Sequence, residues 1–213
     1  MKSIVVGVTG QIGSGKTEVA KMLEKFGGII ISADEIGKGV VERNPIIQHR
    51  LTKAFGSEIL AKSGRLRRRT LGKIAFSSPE NTRKLNSIVH PQLLKELGKR
   101  VKQAKRSYPL VIVDAALLIN WGWHKKVDYT ILVQANSRLR AEWLKKHGFT
   151  REEIKSRTNS QIPVATQKRY ADFIIHNNKS IDRLVLQVEK IVSRLASKGL
   201  TLPAKRVYLR QLC

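Results

Sequence analysis

Between two apolar runs the chain reads Gly10–Gln11–Ile12–Gly13–Ser14–Gly15–Lys16–Thr17, which satisfies the pattern G-x-x-x-x-G-K-[ST]. The chemistry of that spacing is anion binding. Gly10 and Gly15 occupy the two pattern glycines, and Gly13 removes a further side chain where the backbone must fold round an anion. Backbone N–H groups from Gly13 to Thr17 would cradle a β-phosphate, Lys16 would reach the β- and γ-phosphates as a mobile point charge, and the Thr17 hydroxyl would ligate Mg²⁺. Two carboxylates stand where apolar runs end, Asp34 after Ile29–Ile30–Ile31 and Asp114 after Leu110–Val111–Ile112–Val113. Asp34 has the chemistry to accept the proton of an attacking hydroxyl and to orient it, and Asp at that place also caps a following helix. Asp114 suits the support of Mg²⁺ through water.

These groups work only if strands and helices bring them together. Ile4, Val5 and Val6 suit a buried parallel strand, and Val19, Met22, Leu23 and Phe26 recur at the spacing of an amphipathic helix whose N-terminus adds positive charge to the phosphate site. Gly27–Gly28 stop that helix, and Ile29–Ile31 form a second strand. In an open α/β sheet ligands gather beyond the carboxyl ends of strands, so Asp34 is expected near the phosphate loop.

From 44 to 106 the chain is helical and basic. Pro45 starts one helix, Ser78–Pro79 start another, and Pro91 interrupts or starts a third. An excursion of that length reads as a helical subdomain. Its cluster Arg65–Leu66–Arg67–Arg68–Arg69 suits acidic substrate groups or a solvated basic turn. A strand over Tyr129–Val133 precedes a helix bearing Arg138, Arg140, Lys145 and Lys146, and after Gly148 a capping box at Thr150–Glu153 opens a helix with Arg157 and Gln161 that stops near Pro163. Two basic helices joined at a glycine read as a lid over the transferring phosphoryl group or as a surface hairpin. Phe173–Ile175 make a last strand, and Leu184, Val188, Ile191, Val192 and Leu195 stripe a closing helix that stops at Gly199, before a basic tail.

The chain has 213 residues, enough for one α/β domain with an inserted subdomain. No signal peptide or membrane-spanning run is read, and the single cysteine, Cys213, fits a reducing compartment, so a cytoplasmic protein is expected. With 41 Lys+Arg against 16 Asp+Glu the formal net charge is +25, more than a nucleotide and a phosphorylated acceptor require. The excess favours polyanions, and nonspecific nucleic-acid association, a soluble lysine-rich face and a compositional bias all account for it.

Over residues 1 to 198 the chain resembles the dephospho-coenzyme A kinase family. The resemblance rests on the loop Gly7–Thr17, Ala33–Asp34, Leu71–Gly72 with Phe76, His90–Pro91, Asp114 with Leu117–Leu118, Arg157 with Gln161, and Lys168–Arg169 followed by Ala171–Asp172 and Asn177. It implies a P-loop NTPase fold of class α/β: a parallel five-stranded sheet flanked by helices, with core segments 1–43, 107–135 and 164–198, a helical acceptor-binding subdomain over 44–106, a helical lid over 136–163, and a tail over 199–213. It also implies transfer of the ATP γ-phosphate to the ribose 3′-hydroxyl of dephospho-CoA, with Mg²⁺, by a monomer or weak homo-oligomer. Other small-molecule P-loop kinases and a nucleic-acid-associated ATPase are the rival readings.

The site so implied has Asp34, Lys16 and Arg140 in catalysis, Arg138 being the alternative lid arginine. Gly10, Ile12, Gly13, Ser14, Gly15, Lys16, Thr17 and Asn177 would hold the nucleotide, with Asn177 toward the adenine. Asp34, Arg68, His90, Asp114 and Leu117 would line the acceptor side, and Thr17 and Asp114 would serve the metal. Against the family pattern, Ser32 and Arg67 stand where Asp is usual, Ala116 and Asn120 replace a Pro and an acid, and Glu142 and Lys146 fall at usual arginine positions. Removing the loop cation by Lys16→Ala should lower phosphoryl transfer at least about a hundredfold in a steady-state assay of ADP release.

Overall fold

The computed structural model describes residues 3–201. The basic tail from 202 onward and Cys213 lie outside the described residues. Five strands, β1 (Ile4–Thr9), β2 (Gly28–Ser32), β3 (Leu110–Asp114), β4 (Tyr129–Gln134) and β5 (Phe173–His176), form one parallel sheet in the order β2-β3-β1-β4-β5. Around them lie α1 (Lys16–Glu24), α2 (Ala33–Arg43), α3 (Pro45–Phe55), α4 (Arg68–Ala75), α5 (Pro79–Ala104), α6 (Ser137–Lys146), α7 (Arg151–Asn159), α8 (Val164–Lys168) and α9 (Ile181–Ala196).

The strands are apolar on both faces because helices cover both. Val6, Val8, Leu110, Ile112, Ile131 and Val133 pack with α1 and α9, where Leu184, Val188, Ile191, Val192 and Leu195 are all buried. Val5, Val111 and Val113 point the other way, into a second core built with α2, α3 and α5. Successive residues of one strand thus serve opposite cores. Register then sets the site: Val8 and Ser32 both pair with Asp114, so the carboxyl ends of β1, β2 and β3 finish level. At the opposite edge, the carboxylates of Asp128 and Asp172 accept the N–H groups of Val5 and Thr130, each at 2.7 Å, and so hold the starts of neighbouring strands.

Local sequence and structure agree at Pro45, which opens α3 behind an Asn44 cap, and at Pro79, which opens α5 behind Ser78. They differ at Pro91. The chain neither breaks nor restarts there, and α5 runs through it. An interior proline costs about 3 kcal/mol, whereas each buried apolar side chain contributes about 1.5–3 kcal/mol. Val89, Leu93, Leu97 and Val101, spaced to form one stripe across the proline, are all buried in the second core, so their burial outweighs the lost hydrogen bond.

Among the described residues no helix is long and apolar enough to cross a membrane. Leu97 is fully buried at the middle of that stripe, and Leu97→Ala should cost about 2–5 kcal/mol of unfolding free energy in urea titration.

Candidate active site

The phosphate loop runs from the end of β1 into α1, and its glycines are dictated by close approach. A Cβ on Gly10 would strike the Val133 carbonyl and come within 2.6 Å of Ser14 Oγ, while Gly15 sits at φ 87° with the Asn177 amide where its Cβ would be. Side chains from far along the chain hold the rest of the loop. Asn177 Nδ2 donates to the Ser14 carbonyl at 3.0 Å. Gln161 Oε1 accepts from the Ile12 N–H at 3.0 Å, and its Nε2 donates to the carbonyls of Gly10 at 3.2 Å and Ala116 at 3.0 Å. Asn177 therefore touches the loop from behind Ser14, and Ile12 lies under Gln161.

The Thr17 hydroxyl donates to Asp114 Oδ2 at 2.8 Å, joining the first turn of α1 to the end of β3. Asp114 Oδ1 is buried with no hydrogen-bond partner among the described residues. Burial raises the Asp114 pKa; the Lys16 charge and the Thr17 hydrogen bond pull it back, and Asp34 and Glu35 add to the rise. A hydroxyl and a buried carboxylate oxygen fit a small hard cation, and with no cluster of three acidic, His or Cys side chains among the described residues the protein would give it few ligands. That suits Mg²⁺, which keeps water and substrate phosphate oxygens in its shell.

Asp34 lies in the first turn of α2 and is exposed. It does not cap the helix. The cap is Ser32, whose Oγ accepts from the Glu35 N–H at 3.2 Å. Asp34 borders a cavity of about 610 Å³ walled by α2, α4, α5 and the segment after β3, which also holds Arg68, His90, Leu117 and Arg157. Arg68 is ion-paired with Glu42 on the rim. The rest of its basic cluster lines an adjoining depression with Glu42 and Ala61, which shares Leu66 and Arg68 with this cavity. His90 accepts at Nδ1 from the Trp121 indole N–H at 3.2 Å, with the rings edge to face at 5.2 Å. That bond places the ring proton on Nε2, and burial lowers the His90 pKa below its ordinary value. Arg157 lies 5.1 Å from the Phe76 ring centre and 5.0 Å from that of Phe149, a cation held between two aromatic faces.

The two arginines of α6 separate. Arg138 is exposed and bonded to Glu142 at 2.9 Å. Arg140 is 7% exposed, and its carbonyl abuts the position a Cβ on Gly13 would take. Its Nε has no hydrogen-bond partner among the described residues, and burial lowers its pKa. A buried guanidinium without a protein anion, on a residue whose backbone packs against the phosphate loop, is disposed toward an anionic ligand.

Residues 4–183 match the family model described as Dephospho-CoA kinase. The chain belongs to the dephospho-CoA kinase family. A dephospho-CoA kinase of Corynebacterium glutamicum is 32% identical over 195 residues, covering 91% of this chain and 98% of that protein. One of Aquifex aeolicus is 33% identical over 190 residues, covering 89% and 96%. The crystal structure of TT1252 from Thermus thermophilus superposes with a TM-score of 0.74 at 27% identity, covering 94% of this chain and all of that one (100%). Dephospho-CoA kinase from Campylobacter jejuni, at TM-score 0.68 and 21% identity, covers 92% and 98% and shares the fold.

Several of the residues read in the sequence as departures from the family pattern have local structural uses. Ser32 caps α2, Glu142 holds Arg138, and Asn120 Nδ2 donates to the Ser160 carbonyl at 3.4 Å. Arg67 precedes α4 without a side-chain cap. Gln161, Arg157 and Trp121 were not among the site residues read from the sequence. The first two are legible as members of the family pattern and of the helix opened by the Thr150 capping box, and nothing local to Trp121 marks it as the partner of His90.

The lowered pKa of His90 means that between that value and 6.5 the unfolded chain binds a proton the folded kinase does not. Stability therefore rises with pH through this window, and the contribution is lost as pH falls. His90→Gln removes it, so the drop in Tm from pH 7.5 to 5 should be smaller in the variant than in the wild type.

Proposed function

We propose that this kinase transfers the γ-phosphate of ATP to the ribose 3′-hydroxyl of dephospho-CoA, giving CoA and ADP. Family membership supports the overall reaction and the use of ATP. The observation that carries the assignment of parts is the cavity bordered by Asp34, whose wall includes Ala116 and Leu117, two and three residues after Asp114. An acceptor seated there approaches the end of β3 from the side opposite α1, toward the phosphates that the loop would hold.

Asp34, free of a capping role, receives the hydrogen bond of the acceptor hydroxyl and takes its proton as the oxygen attacks phosphorus. Lys16 and Arg140 supply positive charge to the phosphoryl oxygens, and the loop amides hold the β-phosphate. Thr17 and Asp114 would hold Mg²⁺, which would supply further neutralisation of the phosphate charge. His90, neutral and oriented by Trp121, presents its Nε2–H to the acceptor, Leu117 gives apolar contact, and Arg68 adds positive charge at the rim. Asn177, on the far side of Ser14, stands toward the nucleoside end of ATP.

In this reading 44–106 form the acceptor-binding subdomain and 136–163 a lid bringing Arg140 to the phosphates. The enzyme would work in the cytoplasm as a monomer or weak homo-oligomer, with any nucleic-acid contact nonspecific.

The test is purified protein with Mg·ATP and a panel of acceptors, with ADP release followed and the product identified by mass spectrometry. Phosphorylation of a nucleoside or a sugar-like acid, with none of dephospho-CoA, would overturn the proposal. Asp34→Asn should lower kcat by about two orders of magnitude or more, while ADP affinity and Tm stay near wild type, because Ser32 still caps α2. An active Asp34→Asn enzyme would transfer the role of base to Asp114.

A further inference from the structure

We propose that Gln161 is a positioning residue that holds the leading half of the phosphate loop in its nucleotide-binding shape and ties that shape to the α7–α8 connection. This rests on the loop being the ATP site. Gln161 is 8% exposed, and both ends of its amide are engaged. Its oxygen accepts from the Ile12 N–H, and its nitrogen donates to the Gly10 and Ala116 carbonyls. The partners fix the orientation of the amide, since the reversed side chain would set donor against donor and oxygen against oxygen.

The two loop groups it engages are ones an anion cradle must dispose of. A carbonyl at Gly10 turned inward would repel phosphate, and an Ile12 N–H without a partner would pull the backbone out of register with the N–H groups from Gly13 onward. Local bonding does not satisfy them: the loop's own turn uses the Ser14 N–H and the Gln11 carbonyl. Asn177 performs the matching task on the trailing half, at the Ser14 carbonyl. Gln161 differs in where it comes from. It follows α7, one helical turn after Arg157, which lies between Phe76 and Phe149 on the acceptor cavity. Its third bond, to Ala116, reaches the chain two residues beyond Asp114. One side chain thus connects the nucleotide loop, the end of β3 and the helix that borders the acceptor.

Gln161→Glu keeps an acceptor for Ile12 but sets carboxylate oxygens against two carbonyls, and Gln161→Leu keeps the bulk without polar contacts. ADP binding by calorimetry, KM for ATP and for dephospho-CoA, kcat and Tm are measured on both. The expected result is an ADP Kd and an ATP KM about tenfold or more above wild type, with the dephospho-CoA KM within about twofold, and with the Glu variant at least as impaired as the Leu variant. Unchanged ADP affinity in either folded variant overturns the proposal. So does a parallel loss of affinity for both substrates that tracks Tm. Should the Leu variant fail to fold, the Glu variant decides alone. Wild-type protein that binds no ADP would instead overturn the ATP-site reading itself.

Discussion

A loop that points a run of backbone N–H groups at one place must have its remaining polar groups satisfied from behind, and the site here depends on that constraint. The backbone cannot do it locally, because folding round an anion removes the chain from helix and strand ladders. Gly10 lies against the Val133 carbonyl too closely for any side chain, which fastens the loop to β4. Asn177 and Gln161 take the exposed carbonyls and the Ile12 N–H. Thr17 completes the attachment by bonding to Asp114.

Charge is arranged to complement this frame. Four ion pairs occur among the described residues, and the partners in each are substantially exposed. Such pairs contribute about 0–1 kcal/mol each, so the large positive excess of the chain is not spent on holding the fold. Arg140 and Arg157 are different. Arg140 is buried with its backbone carbonyl against Gly13, Arg157 is half-buried between aromatic rings, and neither forms one of those ion pairs. Desolvated cations interact more strongly with an anion than solvated ones do.

Strand order places the helices on the two sides of the loop. The chain leaves β1 toward β2 on one side and later returns to β4 on the other, so the crevice at the carboxyl end of β1 lies where the connections part. The helices of 44–106 build on the β2 side, and α6 and α7 follow from the β4 side. Asp34 and Asp114 on one side, with Arg140 on the other, flank the loop because of that topology.

Much of this was determined by local sequence: the phosphate loop with Lys16 and Thr17, all five strands, the capped starts of α3, α5 and α7, and the buried stripe of α9. Those features follow from dihedral preference, side-chain period and hydrogen bonds within a few residues, which a linear reading contains. The tertiary structure decided the rest. It carried α5 through Pro91 because the stripe from Val89 to Val101 had a core to fill, and gave the α2 cap to Ser32 rather than Asp34. It separated Arg138, paired with Glu142, from Arg140 beside Gly13, and it set the His90 tautomer through Trp121. Gln161 meets Ile12 across 149 positions of sequence. An amide side chain carries no mark of its partner, because whether it faces water or a loop depends on how the sheet and helices bring distant segments together.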